Sequence, residues 1–363
     1  TRPLVFPQKQ ILWVSGRVHP GEVPCQHTIK GIFQLLLDPN NVIARELRKR
    51  YVFKIVPIIN PDGVIRGHFR MDQFGQNLNR YYSSPTPDLQ GPIFAIKKVL
   101  DYYASEQKLA LYLDCHAHAS KRGCFIYGNV LDSVDDQIQN MLYCRLIALN
   151  TPHFDYEGCL FSREHMTRID PGDRGAGLTA EGSGRVSTYL HYNLVHSYTL
   201  ECNYNSSKSG NEIPPTEHDP LGDTYNHTPG SSFTTYPEKY TPASWAGVGR
   251  ACIVAMLDLR NQNPCSRIPR SKAKTLSRYR HSVSQEVRAR KEYKEQRGRG
   301  GALAGLNGGY GQNAINAAEQ QPTLWRRCIQ EVEADTVKCS ITDEAPSLVD
   351  WKALAPKGGA EKK

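Results

Sequence analysis

The sequence predicts an α/β domain built on a mixed, mainly parallel central sheet flanked by helices, followed by a mostly disordered C-terminal tail. Apolar segments of strand length alternate with segments whose apolar residues recur at helical spacing. The formal net charge of the 363 residues is +9, and residues 264–300, with 12 Lys and Arg against 3 Asp and Glu, hold all of it. A neutral part rich in apolar residues is typical of a folded domain, and a basic, glycine-rich part is typical of disorder. We therefore predict one folded domain at residues 1–261 and a tail at residues 262–363.

Composition limits the class of protein. Since no run approaches eighteen consecutive apolar residues, we expect no membrane-spanning helix. The ten cysteines contain no CxxC pair, a pattern typical of reduced thiols in a cytosolic protein. The chain begins at Thr1, not at a methionine, and shows no signal-peptide pattern. In line with the cysteine pattern we expect a cytoplasmic protein, and we expect a monomer.

The first strand and the turn after it carry the first candidate site residues. The apolar residues 11–14 read as a buried strand, and residues 23–37 show helical spacing. His19 and Glu22 lie on the turn between them, where open α/β sheets bind their ligands. An imidazole and a carboxylate at this spacing can reach one zinc ion. The alternative is a turn histidine beside a glutamate that favours the positive end of a helix.

The remaining elements alternate in the same way. Strands are predicted where β-branched, aromatic and apolar residues run together, and helices where apolar residues recur at helical spacing. The predicted strands are residues 51–59, 110–116 and 197–201; the predicted helices are residues 91–106, 137–150, a short segment within 181–193, and 241–259. A turn at residues 60–63 and a polar loop at residues 64–82 separate the second strand from its helix.

Two histidines follow the strand at residues 110–116. His116 and His118 are two residues apart, so on an extended chain both point the same way, and either could complete a zinc site with His19 and Glu22. Such a set leaves the fourth zinc position open, which is the catalytic arrangement. Glu201 ends the next apolar strand, where a partly buried acid needs a partner or a function.

Five motifs occur in an order that identifies a family. They are His-Pro-Gly-Glu at 19–22, Asn-Pro-Asp-Gly at 60–63, Leu-Asn-Arg at 78–80, Asp-Cys-His-Ala-His at 114–118 and Tyr-Thr-Leu-Glu-Cys at 198–202. Together they resemble the zinc metallocarboxypeptidases, and specifically the cytosolic carboxypeptidases that remove glutamates from tubulin. The strings at 118–125 and 197–205 resemble the branch that cleaves branch-point glutamates, and the resemblance covers about residues 11–260.

The resemblance implies a zinc carboxypeptidase-like fold, one Zn²⁺ per chain and a set of site residues. By motif, the zinc ligands are His19, Glu22 and His116, the catalytic residues are Glu201 and Arg70, and the substrate-binding residues are Asn79, Arg80 and Arg185. Glu201 would act as the general base, and Arg70 would face the charge that develops on the scissile carbonyl. Asn79 and Arg80 would hold the terminal carboxylate of the substrate, and Arg185 would line the pocket for the departing side chain. The implied partners are glutamylated tubulin or other acidic protein tails, with a possible microtubule association.

The sequence departs from the family pattern in two places. Family members carry a β-rich domain ahead of the catalytic one, and this chain starts almost at the metal motif, so we expect either a catalytic fragment or loss of that domain. Residues 178–181 lack the lysine expected before Glu-Gly. The tyrosine that usually completes such a site could be Tyr156, Tyr189 or Tyr192, and the sequence does not choose among them.

Two other functions are compatible with parts of the sequence. A zinc deacylase shares the His-x-x-Glu…His core, but the turns at 60–63 and 78–80 argue against it. An inert scaffold that binds microtubules or nucleic acid through the basic tail is opposed by the intact ligand set together with Glu201. The basic run contains few aromatic residues and matches no nucleic-acid-binding module, so we expect no nucleic-acid partner.

Overall fold

The computed structural model describes residues 4–169, 178–208, 210–216, 237–300 and 347–348. In chain order, the strands among these residues are β1 (Leu4–Val5), β2 (Gln10–Gly16), β3 (Tyr51–Val56), β4 (Leu109–His118), β5 (Cys124–Tyr127), β6 (Ser197–Asn203) and β7 (Ser347–Leu348). Five of them form one sheet in the order β3-β2-β4-β6-β5. The pairs among β3, β2, β4 and β6 are parallel, and β5 runs antiparallel to β6. The predicted mixed, mainly parallel sheet is therefore confirmed.

Helices lie between the strands, and five of them lie where the apolar spacing predicts. They are α1 (Pro24–Leu36), α2 (Val42–Arg50), α3 (Pro61–Ile65), α4 (Gly91–Ser105), α5 (Val134–Asn150), α6 (Arg163–Thr167), α7 (Gly184–Tyr192), α8 (Pro242–Asp258) and α9 (Leu276–Gly300). Several begin at a side-chain cap: Asn41 accepts from Ala44 N in α2, and Ser133 accepts from Asp136 N in α5. None of the helices in the described ranges is both long enough and apolar enough to cross a bilayer.

The sheet separates two apolar layers. Alternate residues of β2 enter opposite layers, with Leu12 and Val14 in one cluster and Ile11 and Trp13 in the other. The first cluster also contains apolar residues of α1, α5 and α8, and the second contains residues of α4. The sheet is therefore covered on both faces, as parallel strands require.

The first cluster continues beyond residue 261. The compact unit comprises Gln8–Ala289, and Ile268, Val283 and Val287 are buried in the same cluster as α5 and α8. The Asp258 carboxylate also accepts hydrogen bonds from Asn263 Nδ2 and Ser266 Oγ. The predicted domain end at residue 261 is thus too early, and residues 262–289 are not a disordered tail. The cause is that two valines four residues apart bury one side of a helix inside a run dominated by charge.

A second unit comprises Thr1–Pro7 and Arg290–Lys363, and within it β1 pairs antiparallel with β7. Residues 301–346 and 349–363 lie outside the described residues, so the disorder expected there stays a prediction.

Truncation after residue 261 should destabilise the domain. It would remove three buried apolar side chains, Ile268, Val283 and Val287, each worth about 1.5–3 kcal/mol. The loss, about 4–9 kcal/mol, is comparable with the whole stability of a typical domain, about 5–15 kcal/mol. Urea unfolding of residues 1–261 should show no cooperative transition, whereas residues 1–300 should keep the midpoint of the full chain. If both truncated proteins unfold at the same urea concentration, residues 262–289 do not contribute to the folded domain.

Candidate active site

The predicted metal ligands lie at the carboxyl ends of two neighbouring strands of the sheet. Beyond β2 the chain turns at Arg17, whose φ of 55° is in the left-handed region. Asn60 holds this turn, because its backbone N–H donates to Arg17 O and its side chain donates to Val18 O. In the parallel register of β4 and β6, His116 lies opposite Glu201. The turn after β2 and the ends of β4 and β6 therefore lie together at the carboxyl end of the parallel strands.

His19, Glu22 and His116 form the cluster suited to a metal among the described residues. One ligand atom from each lies within 4.8 Å of the other two, and all three side chains are buried. His19 Nδ1 is 2.7 Å from Glu22 Oε1, and His116 Nδ1 is 2.9 Å from Glu22 Oε2. Both imidazoles therefore point their Nδ1 atoms at one carboxylate.

The other nitrogen of each imidazole is held by an acceptor. His19 Nε2 is 2.9 Å from Asn77 Oδ1, and His116 Nε2 is 2.8 Å from Asp114 Oδ2. Ser15 Oγ donates to the second oxygen of Asp114. An acceptor at Nε2 favours the tautomer with its hydrogen there, which leaves the Nδ1 lone pair for a metal. Two imidazole nitrogens and a carboxylate oxygen are the donor set of a catalytic zinc site, so these residues fit the ion.

The electrostatics of the cluster favour a cation. Burial alone would raise the pKa of Glu22, but the neighbouring imidazoles outweigh it and lower that pKa well below its usual range. Burial lowers the pKa of His19, whereas the carboxylates of Asp114 and Glu22 overcome burial and raise the pKa of His116. The cluster therefore keeps the Glu22 carboxylate ionised beside the two imidazoles.

Glu201 of β6 is paired with His116 of β4 in the sheet and so lies near the same carboxyl end of the strands. The residue as a whole is partly exposed, but its Oε2 atom is buried and has no hydrogen-bond partner among the described residues. Burial raises the pKa of its carboxyl group to about 8. A carboxyl group with a raised pKa and an unused acceptor beside a metal cluster is suited to receive and return a proton.

Arg70, Asn79 and Arg80 lie around this cluster. After burial and the nearer charged groups, the charge of Arg70 contributes to the lowered pKa of His19 and opposes the raised pKa of Glu201, so Arg70 is within electrostatic reach of both groups. Asn79 Nδ2 is 3.5 Å from His116 Nε2, and Asn79 Oδ1 accepts from Gly184 N at the start of α7. Arg80 Nη1 donates to Asn79 O. Asn79 therefore contacts the metal cluster and Arg80 lies next to Asn79, while the substrate roles of all three residues stay predictions.

Arg185, on α7, is a buried cation. Its Nη1 donates to Gly128 O and Asn129 Oδ1, and its Nη2 donates to His165 O. Its Nε is buried without a partner, and the described residues offer it no ion pair. Burial, followed by repulsion from Arg168, lowers its pKa to about 9, and its charge acts on Glu201.

Several residues around Arg185 escaped the sequence analysis. Tyr127 is buried beneath the site, and burial together with the charge of Glu201 raises its pKa to about 12. His165 stacks on the Tyr127 ring, and the exposed Arg168 guanidinium lies 6.0 Å from the centre of that ring. Tyr127 could have been noticed from the alternation of β5, because it faces the same side as Phe125. His165, in α6, and Arg168, directly after it, carry no signal in the sequence, because their segment is distant in the chain from β5.

The three candidate tyrosines are engaged elsewhere. Tyr156 donates to Glu286, Tyr192 donates to Asp101, and the pKa of Tyr189 responds to Asp132. By contrast, Tyr204 donates to Gly21 O beside Glu22, and the charges of Glu22 and Glu201 contribute to its raised pKa. Tyr127 and Tyr204 are therefore the described tyrosines whose pKa responds to Glu201.

Comparison with known proteins agrees with this geometry. The family model described as "Zinc carboxypeptidase" matches residues 6–221. "Cytosolic carboxypeptidase-like protein 5" from Danio rerio is 34% identical, over 78% of this chain and 42% of its own length. The Homo sapiens protein of the same name is 35% identical, over 79% and 41%. The chain thus spans about two-fifths of the length of these relatives.

The fold has a solved counterpart. The metallo-carboxypeptidase from Burkholderia cenocepacia superimposes with a TM-score of 0.52 at 19% identity, covering 70% of this chain and 57% of that one. At this identity the likeness concerns the fold alone. It agrees with the zinc carboxypeptidase-like architecture that the five motifs predicted.

Proposed function

The chain belongs to the zinc carboxypeptidase family, and on that premise we propose that it is a zinc-dependent carboxypeptidase that releases glutamate from acidic protein tails. The glutamates would be at branch points or at chain ends, and glutamylated tubulin is the substrate we expect. We further propose one zinc per chain, a monomeric state and a cytoplasmic location, with microtubule association as a further expectation. The observation that carries the glutamate preference is the buried Arg185 guanidinium without an ion pair among the described residues.

Three residues would hold the zinc ion, and Glu201 would move the proton. His19, Glu22 and His116 offer two Nδ1 atoms and a carboxylate, held by Asn77 and Asp114. When bound, zinc supplies Lewis acidity, which makes water a nucleophile near neutral pH and polarises a carbonyl. The Glu201 carboxylate would accept the proton of the attacking water and return it to the leaving amine. Arg70, which acts on both His19 and Glu201, would face the negative charge that develops on the carbonyl oxygen.

Recognition of a chain end falls to Asn79 and Arg80. Asn79 is fixed by Gly184 N, and its own carbonyl fixes the Arg80 guanidinium. A planar guanidinium can hold a carboxylate with two parallel hydrogen bonds. An enzyme that must select a terminal residue needs such a grip near its metal, which a deacylase of small neutral amides does not. This arrangement favours the carboxypeptidase over the deacylase.

Arg185 would select an acidic side chain. Burying an unpaired cation is costly, so its retention here indicates a negatively charged guest. Three carbonyl-type oxygens orient the guanidinium without neutralising it, and its Nε remains available. Arg168, whose guanidinium lies 6.0 Å from the centre of the Tyr127 ring and repels Arg185, adds a second positive charge near the same pocket. A glutamate side chain could satisfy this pocket, whereas an aliphatic one would leave it unpaired.

Replacing Arg185 with leucine should change substrate preference. A hydrogen bond to a charged group contributes about 1.5–3 kcal/mol, so the kcat/KM ratio of a glutamate-ended to a leucine-ended peptide should fall roughly 10- to 100-fold. Thermal unfolding should accompany the kinetics, because the variant also loses bonds to Gly128 and His165. Arg168→Leu, at an exposed cation of the same pocket, is the matched control and should reduce the ratio less. If Arg185→Leu leaves the ratio unchanged, the selecting charge lies elsewhere, with Lys121 or Arg122 next to test.

The proposed activity itself is tested with defined peptides. Purified protein is incubated with branched and linear glutamylated peptides, with and without a chelator, and the products are measured by mass. Loss of single glutamates that stops on chelation and returns with zinc supports the proposal. Release of an acyl group, or no product from either peptide, contradicts it.

A further inference from the structure

We propose that the exposed basic side chains of residues 272–288 form a docking surface for the acidic polypeptide on which the active site works. This surface, called here the α9 face, consists of Lys272, Lys274, Arg278, Arg280 and Arg288. The inference rests on the proposed function, because it assigns a role to a surface outside the metal site in the same reaction.

The α9 face is fixed to the domain. Val283 and Val287 of α9 are buried in the main apolar cluster, and Leu276 and Tyr279 pack against it. Arg280 reaches the Gln139 side chain of α5. Arg278, Arg280 and Arg288 therefore stand on a helix whose other side is buried, so they are held in place and do not move freely through solvent as an arm would.

The charge of the α9 face is poorly compensated within the described residues. Glu286 is the acidic residue between 264 and 289, and its Oε2 accepts a hydrogen bond from Tyr156. Lys272 Nζ lies 3.8 Å from Glu212 Oε2. Both side chains are almost fully exposed, so this ion pair neutralises little of the charge of the α9 face. Arg278 and Arg288 are exposed and form no ion pair with a described residue. Such a surface attracts a negatively charged partner.

A short turn connects the α9 face with the active site. Tyr156, which contacts Glu286, begins the turn Tyr156–Gly158, and the Arg145 guanidinium lies 4.3 Å from the centre of its ring. At the other end of that turn, Gly158 O accepts from Lys121 Nζ, and the charge of Lys121 interacts with Glu201. Arg145 and Lys121, at the two ends of this turn, are therefore positively charged groups between α9 and Glu201.

One acidic residue interrupts this series. Glu157, in the same turn, is largely exposed and lies 3.5 Å from Arg145. An acidic polypeptide longer than a few residues could still contact Lys121 near the catalytic carboxylate and the α9 face farther out.

An acidic polypeptide fits this surface better than a nucleic acid does. Stacking on aromatic rings is a main source of binding to single-stranded nucleic acids. Tyr279, on α9, is partly buried and packs against the core, so its ring is not fully open to a base. The surface also leads toward a site that we propose to act on glutamate chains. We therefore infer a polypeptide partner and treat an oligonucleotide as the competing outcome.

The test uses the full chain with two matched double variants. Arg278→Gln/Arg288→Gln removes two charges of the α9 face. Arg45→Gln/Lys49→Gln removes two exposed charges from α2, which precedes β3 at the opposite edge of the sheet from β5. Both variants have the same net charge, so a difference between them reports position. The substrates are a short glutamyl peptide and a glutamylated peptide of about 20 residues, long enough to extend well beyond the active site.

For the α9 variant, KM for the long peptide should rise about three- to tenfold at low salt with kcat unchanged. This difference should disappear in high salt, because exposed charges are screened over about 3 Å at 1 M. KM for the short peptide should stay the same, and the α2 variant should match wild type with both peptides. Equal effects of the two variants, or an unchanged KM for the long peptide, would overturn the inference.

Direct binding separates this inference from the proposed function. Fluorescence anisotropy of the labelled long peptide should show weaker binding to the α9 variant even if no peptide is cleaved. In that case the proposed activity would fail while the docking surface stands. Tighter binding of a 20-nucleotide single strand than of the acidic peptide, lost in the α9 variant, would assign the surface to nucleic acid and overturn the inference.

Discussion

Glu201→Gln should lower kcat by about 10²- to 10⁴-fold, the range that a positioned general base contributes, while zinc content should stay at the wild-type value. The amide cannot accept the proton of water, although it has the size and shape of the carboxylate. The fold should tolerate the change, because Glu201 Oε2 is buried without a hydrogen-bond partner among the described residues. The charge removed is also one that burial disfavours, since burial raises the pKa of this carboxyl group to about 8.

The measurement is steady-state turnover of a glutamate-ended peptide, with zinc content determined by mass spectrometry on the same preparation. Glu181→Gln, at an exposed residue of the turn before α7, serves as the matched control and should retain full activity. Wild-type turnover in Glu201→Gln would remove this residue from the mechanism. A variant that loses both zinc and activity would make Glu201 a determinant of metal binding.

His116→Ala should lose stoichiometric zinc, and His118→Ala should keep it. His116 Nδ1 lies in the cluster with His19 and Glu22, whereas His118 Nδ1 accepts a hydrogen bond from Lys121 N. A tightly bound zinc ion contributes about 10–16 kcal/mol through four ligands. One ligand therefore contributes about 3 kcal/mol, and its loss should weaken zinc binding at least 100-fold.

The affinity is measured by competition with a chromophoric chelator, and the folded state by circular dichroism. Circular dichroism is needed because His116→Ala leaves the buried Asp114 without the imidazole that contacts its Oδ2, and this loss could unfold the protein. Full zinc in His116→Ala together with loss in His118→Ala would reverse the assignment. Two zinc ions per wild-type chain would contradict the single site.

Several features could be predicted from the sequence because they depend on local interactions. The apolar runs of β2, β3, β4 and β6 gave the strands, and the spacing of apolar residues gave α1, α5 and α8. The metal turn was also predictable, because His19 and Glu22 are close in the chain and a short turn confines them to a small volume. The turn at residues 60–63 was also predictable, because asparagine, proline, aspartate and glycine favour turns by local interactions.

The choice between His116 and His118 required the tertiary structure as far as the residues alone are concerned. Alternation along β4 directs both histidines to the same side, so their spacing cannot distinguish them. The register of β4 with β6 does, because it sets His116 opposite Glu201 and His118 opposite Asn203 at the end of the strand. Register depends on pairing between segments about 80 residues apart, and the spacing within one strand does not contain it.

The surroundings of Arg185 and the end of the domain also depended on tertiary structure. The sequence identified Arg185, but Gly128, Asn129 and His165, which hold it, come from two other segments. The charge of residues 264–300 predicted a tail, yet Val283 and Val287 bury one side of α9 against the core. Composition averages over a whole segment, whereas burial depends on which side of a helix meets an apolar surface, and only the packed chain supplies that surface.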